Sequence, residues 1–305
     1  MQIIIISVIC VPLYLMVLSS YYFFMINIFS VGDSILPGTY RFHSGFTKAI
    51  NFSNNDKLLT LVTKEISNGP VNIVVSDITA FSCEKIRLNK DELICGLNNY
   101  DLQKSLCYNS GIEEGKINQI FFLKNINKLL PLLAGHAAPL SMAFVFDNPR
   151  KNNFRTSFEK NFLNKVNSAV EKIKNGEIIK GVEILRGCGF GLTPSGDDFI
   201  AGMLNALYIL QIISGKQNLA ELRNNICLAA QTENIISKNA ISFASKGRFN
   251  EVFKNLVYSL SENDDDLLKY NTLRLLQTGE TSGADMLTGF LFTFVLRNKI
   301  AQKIF

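Results

Sequence analysis

Histidine is nearly missing from this chain of 305 residues: there are two, His43 and His136, far apart in sequence. None of the six cysteines sits in a Cys-x-x-Cys pair, so no zinc motif can be assembled from these residues. Cys10, Cys83, Cys95, Cys107, Cys188 and Cys227 are expected to be reduced and mostly buried, as in a cytosolic protein. No dense Lys/Arg stripe with interleaved aromatics appears and the net charge is only +5, so no nucleic-acid partner is expected. Charged residues make up 19% of the chain against 47% apolar, which excludes general disorder and supplies a large core, in one large domain or two ordinary ones.

Charge is also missing from the N-terminus, where Asp33 is the first charged residue. Residues 3–24 are long and apolar enough to span a bilayer. No Lys or Arg precedes the run and no small-x-small cleavage site follows it, which disfavours a signal peptide. The next segment, residues 26–31, has the pattern of a first β-strand and follows with no hydrated connector, which disfavours a membrane anchor. Met25 is then a sensible start for the folded part, and residues 1–24 an apolar extension. The expected location is the cytoplasm, with anchoring through residues 3–24 as the alternative.

What the chain does have is one motif twice. Residues 193–204 run TPSGDDFIAGML and residues 281–291 run TSGADMLTGFL. Aligned on Ser-Gly, Ser195 matches Ser282, Gly196 matches Gly283, Asp198 matches Asp285, Gly202 matches Gly289 and Leu204 matches Leu291. Each copy follows a glycine-bearing loop and opens an apolar run of helical period. Ser195 is placed as a helix N-cap with Asp198 closing a capping box, and Ser282 with Asp285 has the same spacing. A helix start presents unpaired N–H groups and a partial positive charge, so two of them can hold an anion; two well-capped helices are the plainer reading. The first copy carries more than a cap needs, because Gly187, Gly189 and Gly191 precede it. The loop lacks the Gly-Lys-Ser/Thr ending of a P-loop, and the helical stretch before it does not suit a dinucleotide fingerprint. Asp197 and Asp198 point about 100° apart on a helix, so one can cap while the other faces a ligand. Cys188 in the loop is a small buried residue or a thiol nucleophile.

Residues 26–110 are β-like, with strands expected at 26–31, 48–52, 57–63, 71–76, 85–88 and 93–95 and turns at Asn54-Asn55-Asp56 and Asn68-Gly69-Pro70. Residues 111–305 are mainly helical, with one further candidate strand at 143–147. Helices are expected over 154–174, 196–215, 219–238, 250–260, 267–276 and 284–297, with Asp264–Asp266 in a first turn. The fold class is α+β, a β-rich N-terminal part followed by a mostly α-helical one. Gly202 and Gly289 sit inside helices, where each costs up to roughly 1 kcal/mol relative to Ala; close helix–helix contact explains both and would bring the two helix starts together.

GLTPSGDDFIAG and TSGADMLTGFL, together with HSGFTKAIN and LLTLVTKEISNGPVNIVV in the N-terminal part, resemble the AllH-type family over roughly residues 26–294. Its named members are subunits of oxamate carbamoyltransferase in anaerobic allantoin use. The resemblance implies phosphorolysis of oxalurate to oxamate and carbamoyl phosphate, in an assembly with other carbamoyltransferase subunits. It places Asp197, Asp198 and His43 as catalytic candidates, and Thr193, Ser195, Gly196, Thr281, Ser282 and Asp285 as binders of a small anionic substrate. Mg²⁺ held by Asp197 or Asp198 would neutralise phosphate charge; no organic cofactor is implied. The motif itself lacks a cation, so Arg186, Arg41, Lys48 or a partner subunit must provide one. Two other readings stay open: a metal-dependent hydrolase using Asp197, Asp198 and Asp285, and a non-catalytic scaffold subunit. His136 carries no assignment.

Overall fold

Short β-branched runs broken by turn residues become strands, and longer amphipathic runs become helices. The computed structural model describes residues 26–303. The start-site and anchor readings fall on residues outside the described ones. The strands are β1 (Ile28–Gly32), β2 (Gly38–Gly45), β3 (Ala49–Asn54), β4 (Lys57–Val62), β5 (Asn72–Val75), β6 (Lys85–Leu88), β7 (Glu92–Cys95), β8 (Asn98–Asp101) and β9 (Leu106–Tyr108). They form one sheet in the order β8-β7-β6-β2-β3-β4-β5-β1-β9. Neighbours are antiparallel except β4 with β5 and β1 with β9. The β3–β4 hairpin turns on Asn55 and Asp56, with Asn55 at φ 50°, a conformation asparagine tolerates.

β4 shows why the sheet is covered on both faces here. Leu59 and Leu61 enter the core of the β-rich part, while the alternate residues Leu58 and Thr60 face the helices. An almost continuous apolar run is the sequence signature of such a strand.

The described helices are α1 (Gln119–Asn125), α2 (Leu129–His136), α3 (Ser157–Lys174), α4 (Ile178–Leu185), α5 (Ser195–Ser214), α6 (Asn218–Ala229), α7 (Ile235–Ser245), α8 (Glu251–Ser259), α9 (Asp265–Leu276) and α10 (Ser282–Lys303). A full capping box starts α3: Thr156 accepts from Glu159 N–H, and Glu159 accepts from Thr156 N–H. Asp264 caps α9 by accepting from Leu267 N–H at 2.9 Å, so the acidic run is a helix start. α5 ends where Gly215 takes φ 69° and donates to Gln211 O. Among the described residues α5 is long and apolar enough to cross a membrane, and 78% of its apolar window is buried in the fold.

Several expectations change. Residues 143–147 give no strand; Met142–Val145 form a 3₁₀ turn, because the apolar side chains are buried against helices and Met142 N–H is taken by Asp285. The single helix expected over 219–238 is two, α6 and α7, since Asn234 caps α7 by accepting from Ile236 and Ser237 N–H. Strands β2, β8 and β9 lie outside the expected set: β2 carries exposed charged and polar residues, and the other two are short and mostly exposed. Cys83 and Cys95 are joined by a disulfide, so the cysteines are not all reduced. Pairing of β6 with β7 sets Cys95 opposite Ile86 and brings Cys83 to a Cα separation of 6.2 Å, a proximity that only the sheet register reveals.

Candidate functional site

The two motif copies meet. Helices α5 and α10 cross at their internal glycines, and the contact is reciprocal. A methyl on Gly202 would overlap the Met286 carbonyl, and one on Gly289 would overlap the Phe199 carbonyl. A second matched pair lies six residues earlier: a methyl on Gly196 would strike the Leu185 carbonyl at the end of α4, and one on Gly283 the Leu275 carbonyl near the end of α9. Each copy is thus a helix, a loop and a second helix whose first turn is wedged against the first. The shared glycines are the sites of closest backbone approach.

This packing exchanges side chains between the copies. Asp198 Oδ2 accepts from Thr193 Oγ1 at 2.9 Å, and the Thr193 hydroxyl is 3.2 Å from the Ser282 hydroxyl of the other copy. Ser282 also favours ionised Asp198. In the mirror arrangement, Ser195 and Thr281 lie against Asp285 and favour its ionised form. The Ser195 hydroxyl and Asp285 Oδ2 nevertheless complete no well-aligned bond; both are buried and unpaired. Asp285 Oδ1 accepts from Met142 N–H.

Burial dominates the electrostatics. It pushes Asp198 up to about 8, helped by the neighbouring charge of Asp285 and opposed by Ser282 and Thr193. It pushes Asp285 up to about 7 against hydrogen bonds from Met142, Ser195 and Thr281. Two facing carboxyls out of water cannot both ionise cheaply, so the pair keeps a proton at neutral pH. Thr193, Thr281 and Ser282 are half-buried in front of them.

The capping boxes expected at Ser195 and Ser282 take another form. Ser195 is the first residue of α5, after Pro194, and makes no cap bond; Asp198 turns to Thr193 and the second copy. The first-turn donors are already used: Gly196 N–H bonds Cys188 O, and Asp197 and Asp198 N–H bond Pro194 O. In the second copy Gly283 N–H bonds Thr278 O. Asp197 faces away from this cluster, as the adjacent-carboxylate geometry requires. Its Oδ1 accepts from Gly187 N–H at 2.7 Å and fastens the glycine loop, and burial raises its pKa. The structure brings Asp198 and Asp285 together and turns Asp197 to the glycine loop. Among the described residues no group of three or more His, Cys, Asp and Glu is gathered.

His43 is exposed on β2, with its Nδ1 3.0 Å from Ser44 Oγ, and lies apart from the carboxyl pair's hydrogen bonds. Of the cations expected near the motif, Arg186 bonds Ala229 O while its charge favours ionised Asp197, and Lys48 pairs with Glu65. Arg41 lines a groove on the sheet with Phe42 and Lys85. Burial raises the Cys188 thiol, which suits a packing residue rather than a nucleophile.

A cavity of about 310 Å³ lies between the sheet and the helices. It begins beside the cluster, at Leu192, Ala201 and Met286, and extends to Asn51, Thr60 and Asn72 on the sheet. Gly69 and Pro70 form part of its wall, so the Asn68-Gly69-Pro70 turn is also a lining loop. Among the described residues Arg248 is its one charged lining residue. Arg248 and the lining residue Asn205 escaped the sequence reading: an arginine in a short loop and an asparagine inside an apolar helix carry no local signal. Asn205 follows Asp198 at i+7, which is the one hint that both share a stripe of α5.

Residues 185–294 match the family described as oxamate carbamoyltransferase subunit AllH, and residues 29–110 match the AllH family N-terminal domain. No curated protein and no solved structure matches the chain. The first match opens at the last residue of α4 and closes within α10, so it takes in both motif copies; the second spans all nine strands but the first residue of β1. With the sheet and the duplicated helix pair both accounted for, the chain belongs to the AllH family of oxamate carbamoyltransferase subunits.

Proposed function

We propose that this chain is the subunit of a carbamoyltransferase assembly that helps convert oxalurate and phosphate to oxamate and carbamoyl phosphate, with the joined helix starts as part of its active site. The observation that supports this reading most is the exchange of hydroxyl and carboxyl partners between the copies, Thr193 with Asp198 and with Ser282. In this reaction a phosphate oxygen attacks the ureido carbonyl carbon, the bond from that carbon to the oxamate nitrogen breaks, and the departing nitrogen takes a proton. A carboxyl that stays protonated at neutral pH, behind a hydroxyl edge, is suited to supply it. Thr193 and Ser282 would pass the proton and bond anionic oxygens; His43 would act through Ser44 and Asn51. The cation that balances phosphate would come from a partner subunit, because a carboxyl that keeps its proton does not hold Mg²⁺.

The test is reconstitution with the partner subunits, with oxalurate and phosphate supplied and carbamoyl phosphate measured. Turnover that Asp198→Ala abolishes while the assembly stays intact is expected. Unchanged turnover in that variant would make the chain a scaffold, and hydrolysis of a substrate by the chain with divalent metal alone would make it a hydrolase.

A further inference from the structure

We infer that the cavity between the sheet and the helical part is the recognition pocket for a small planar monoanion that carries a carbamoyl or carboxamide group, with Asn205 and Arg248 as its specificity-determining residues. The inference rests on the transferase reading for the identity of the ligand, and on the geometry alone for the pocket.

The lining is unusual in its chemistry. Asn51, Asn72, Asn205, Asn239 and Asn250 all contribute, and among the described residues no carboxylate does. Asn51 is held at both ends, donating to Ser44 Oγ at 3.1 Å and accepting from Thr60 at 2.9 Å, and three of the others are held by one end. Asn72 donates to Ser67 O, Asn239 donates to Asp56 O and Ile235 O, and Asn250 accepts from Phe253 N–H as the cap of α8. A fixed amide presents its other end in a set direction, and an amide has both a donor and an acceptor to offer. That is the complement of a ureido or carboxamide group, which also has both.

Asn205 differs from the others. It is 2% exposed, it lies in the middle of α5, and its Oδ1 has no hydrogen-bond partner. An unpaired buried amide oxygen is costly, so it is expected to have a partner when the protein works. Asn205 lines the cavity, and a ligand NH₂ placed there would satisfy it.

Arg248 gives the pocket its charge. Its Nη1 is 3.1 Å from Asp33 Oδ2, and Asp33 is itself held by the N–H and hydroxyl of Ser110 at 2.9 and 2.7 Å. One corner of the guanidinium is thereby anchored, and its remaining donors can bind a planar carboxylate. Asp33 offsets the charge of Arg248, so the guanidinium recognises one carboxylate through its free donors, and among the described lining residues no second cation would hold another. The cavity volume, about 310 Å³, suits a small molecule.

The test uses the full chain in its assembly with the partner subunits and three probes of matched size: oxamate, neutral oxamide and dianionic oxalate, each titrated by calorimetry. Oxamate is expected to bind most tightly. Asn205→Leu, which keeps the branched shape and removes the polar atoms, should weaken oxamate at least about tenfold while the protein stays folded. Arg248→Met should weaken oxamate by a similar factor and leave oxamide unchanged. Oxamate affinity indifferent to both variants, or no oxamate binding by the wild-type assembly, would overturn the pocket. Binding that both variants weaken, in an assembly that makes no carbamoyl phosphate, would keep the pocket and remove the transferase reading. Carbamoyl phosphate formation with unaltered KM for oxalurate in both variants would keep the transferase reading and remove the pocket.

Discussion

Asp198 and Asp285 set the residue-scale behaviour. Both are pushed well above the ordinary carboxylate range, to about 8 and about 7, so the folded chain binds protons that the unfolded chain has released. Stability is then greatest at the acid end of this window and falls as pH rises from the ordinary carboxylate pKa through the folded values. Denaturant midpoints measured from pH 5 to pH 9 should decline, and Asp198→Asn should flatten the decline. A wild-type midpoint that rises across the range would show the pair to be ionised at neutral pH. In the proposed reaction the same proton governs turnover. If Asp198 donates it, kcat/KM of the assembly falls above about pH 8, and that limb disappears in Asp198→Asn along with most of the rate. The identities of these residues were legible from their spacing, but their partners were not. A serine before an acid three residues on resembles a cap, and only the approach of a second copy reveals that the acid serves a hydroxyl from elsewhere.

At the scale of elements, glycine placement carries the fold of the site. Gly202 and Gly289 were legible as helix-interior glycines at matching positions, and the structure supplies their reason in the crossing of α5 and α10. Gly202→Ala should therefore destabilise by about 1–3 kcal/mol, because overpacking outweighs the helix-propensity gain of up to roughly 1 kcal/mol. Gly135 in α2 is the contrast: an added methyl there meets nothing within 4 Å, so Gly135→Ala should be neutral or stabilising. Thermal unfolding of the two variants tests this, and equal shifts would contradict it. Elements that packing alone decides were beyond the sequence. The 3₁₀ turn Met142–Val145 has strand-like side chains, yet no sheet edge is offered to it and Asp285 takes its first N–H. Asn234 divides the long apolar run over α6 and α7, and its side chain also donates to Leu192 O in the glycine loop. That break lets α7 bring Ser237 towards Asp197 and Asn239 into the cavity.

Across the whole molecule, the β-rich and helical parts are joined by specific polar contacts around the cavity. Asn68 donates through both its N–H and its amide to Glu251 Oε2, at 3.2 and 2.9 Å, and Tyr108 donates to Phe249 O at 3.0 Å. Glu251→Ala leaves those Asn68 donors without their acceptor and should cost about 1–3 kcal/mol. The change should appear as a lower unfolding midpoint and faster protease cleavage between residues 110 and 118. An unchanged midpoint and cleavage rate would show that this contact does not couple the parts. The order of a β-rich part before a helical one was plain from the change of hydrophobic period near residue 110. The cavity was not, since its amides come from distant positions in chain order and each resembles an ordinary turn or cap residue. The central claim is that two copies of one motif make one site, and a double-mutant cycle on the reconstituted assembly tests it most directly. Thr193→Val and Ser282→Ala, measured singly and together for kcat/KM with oxalurate and phosphate, should be strongly non-additive, with the double variant little worse than the worse single one. Effects that add to within about 0.5 kcal/mol would mean that the two hydroxyls act independently, and the shared site would be contradicted.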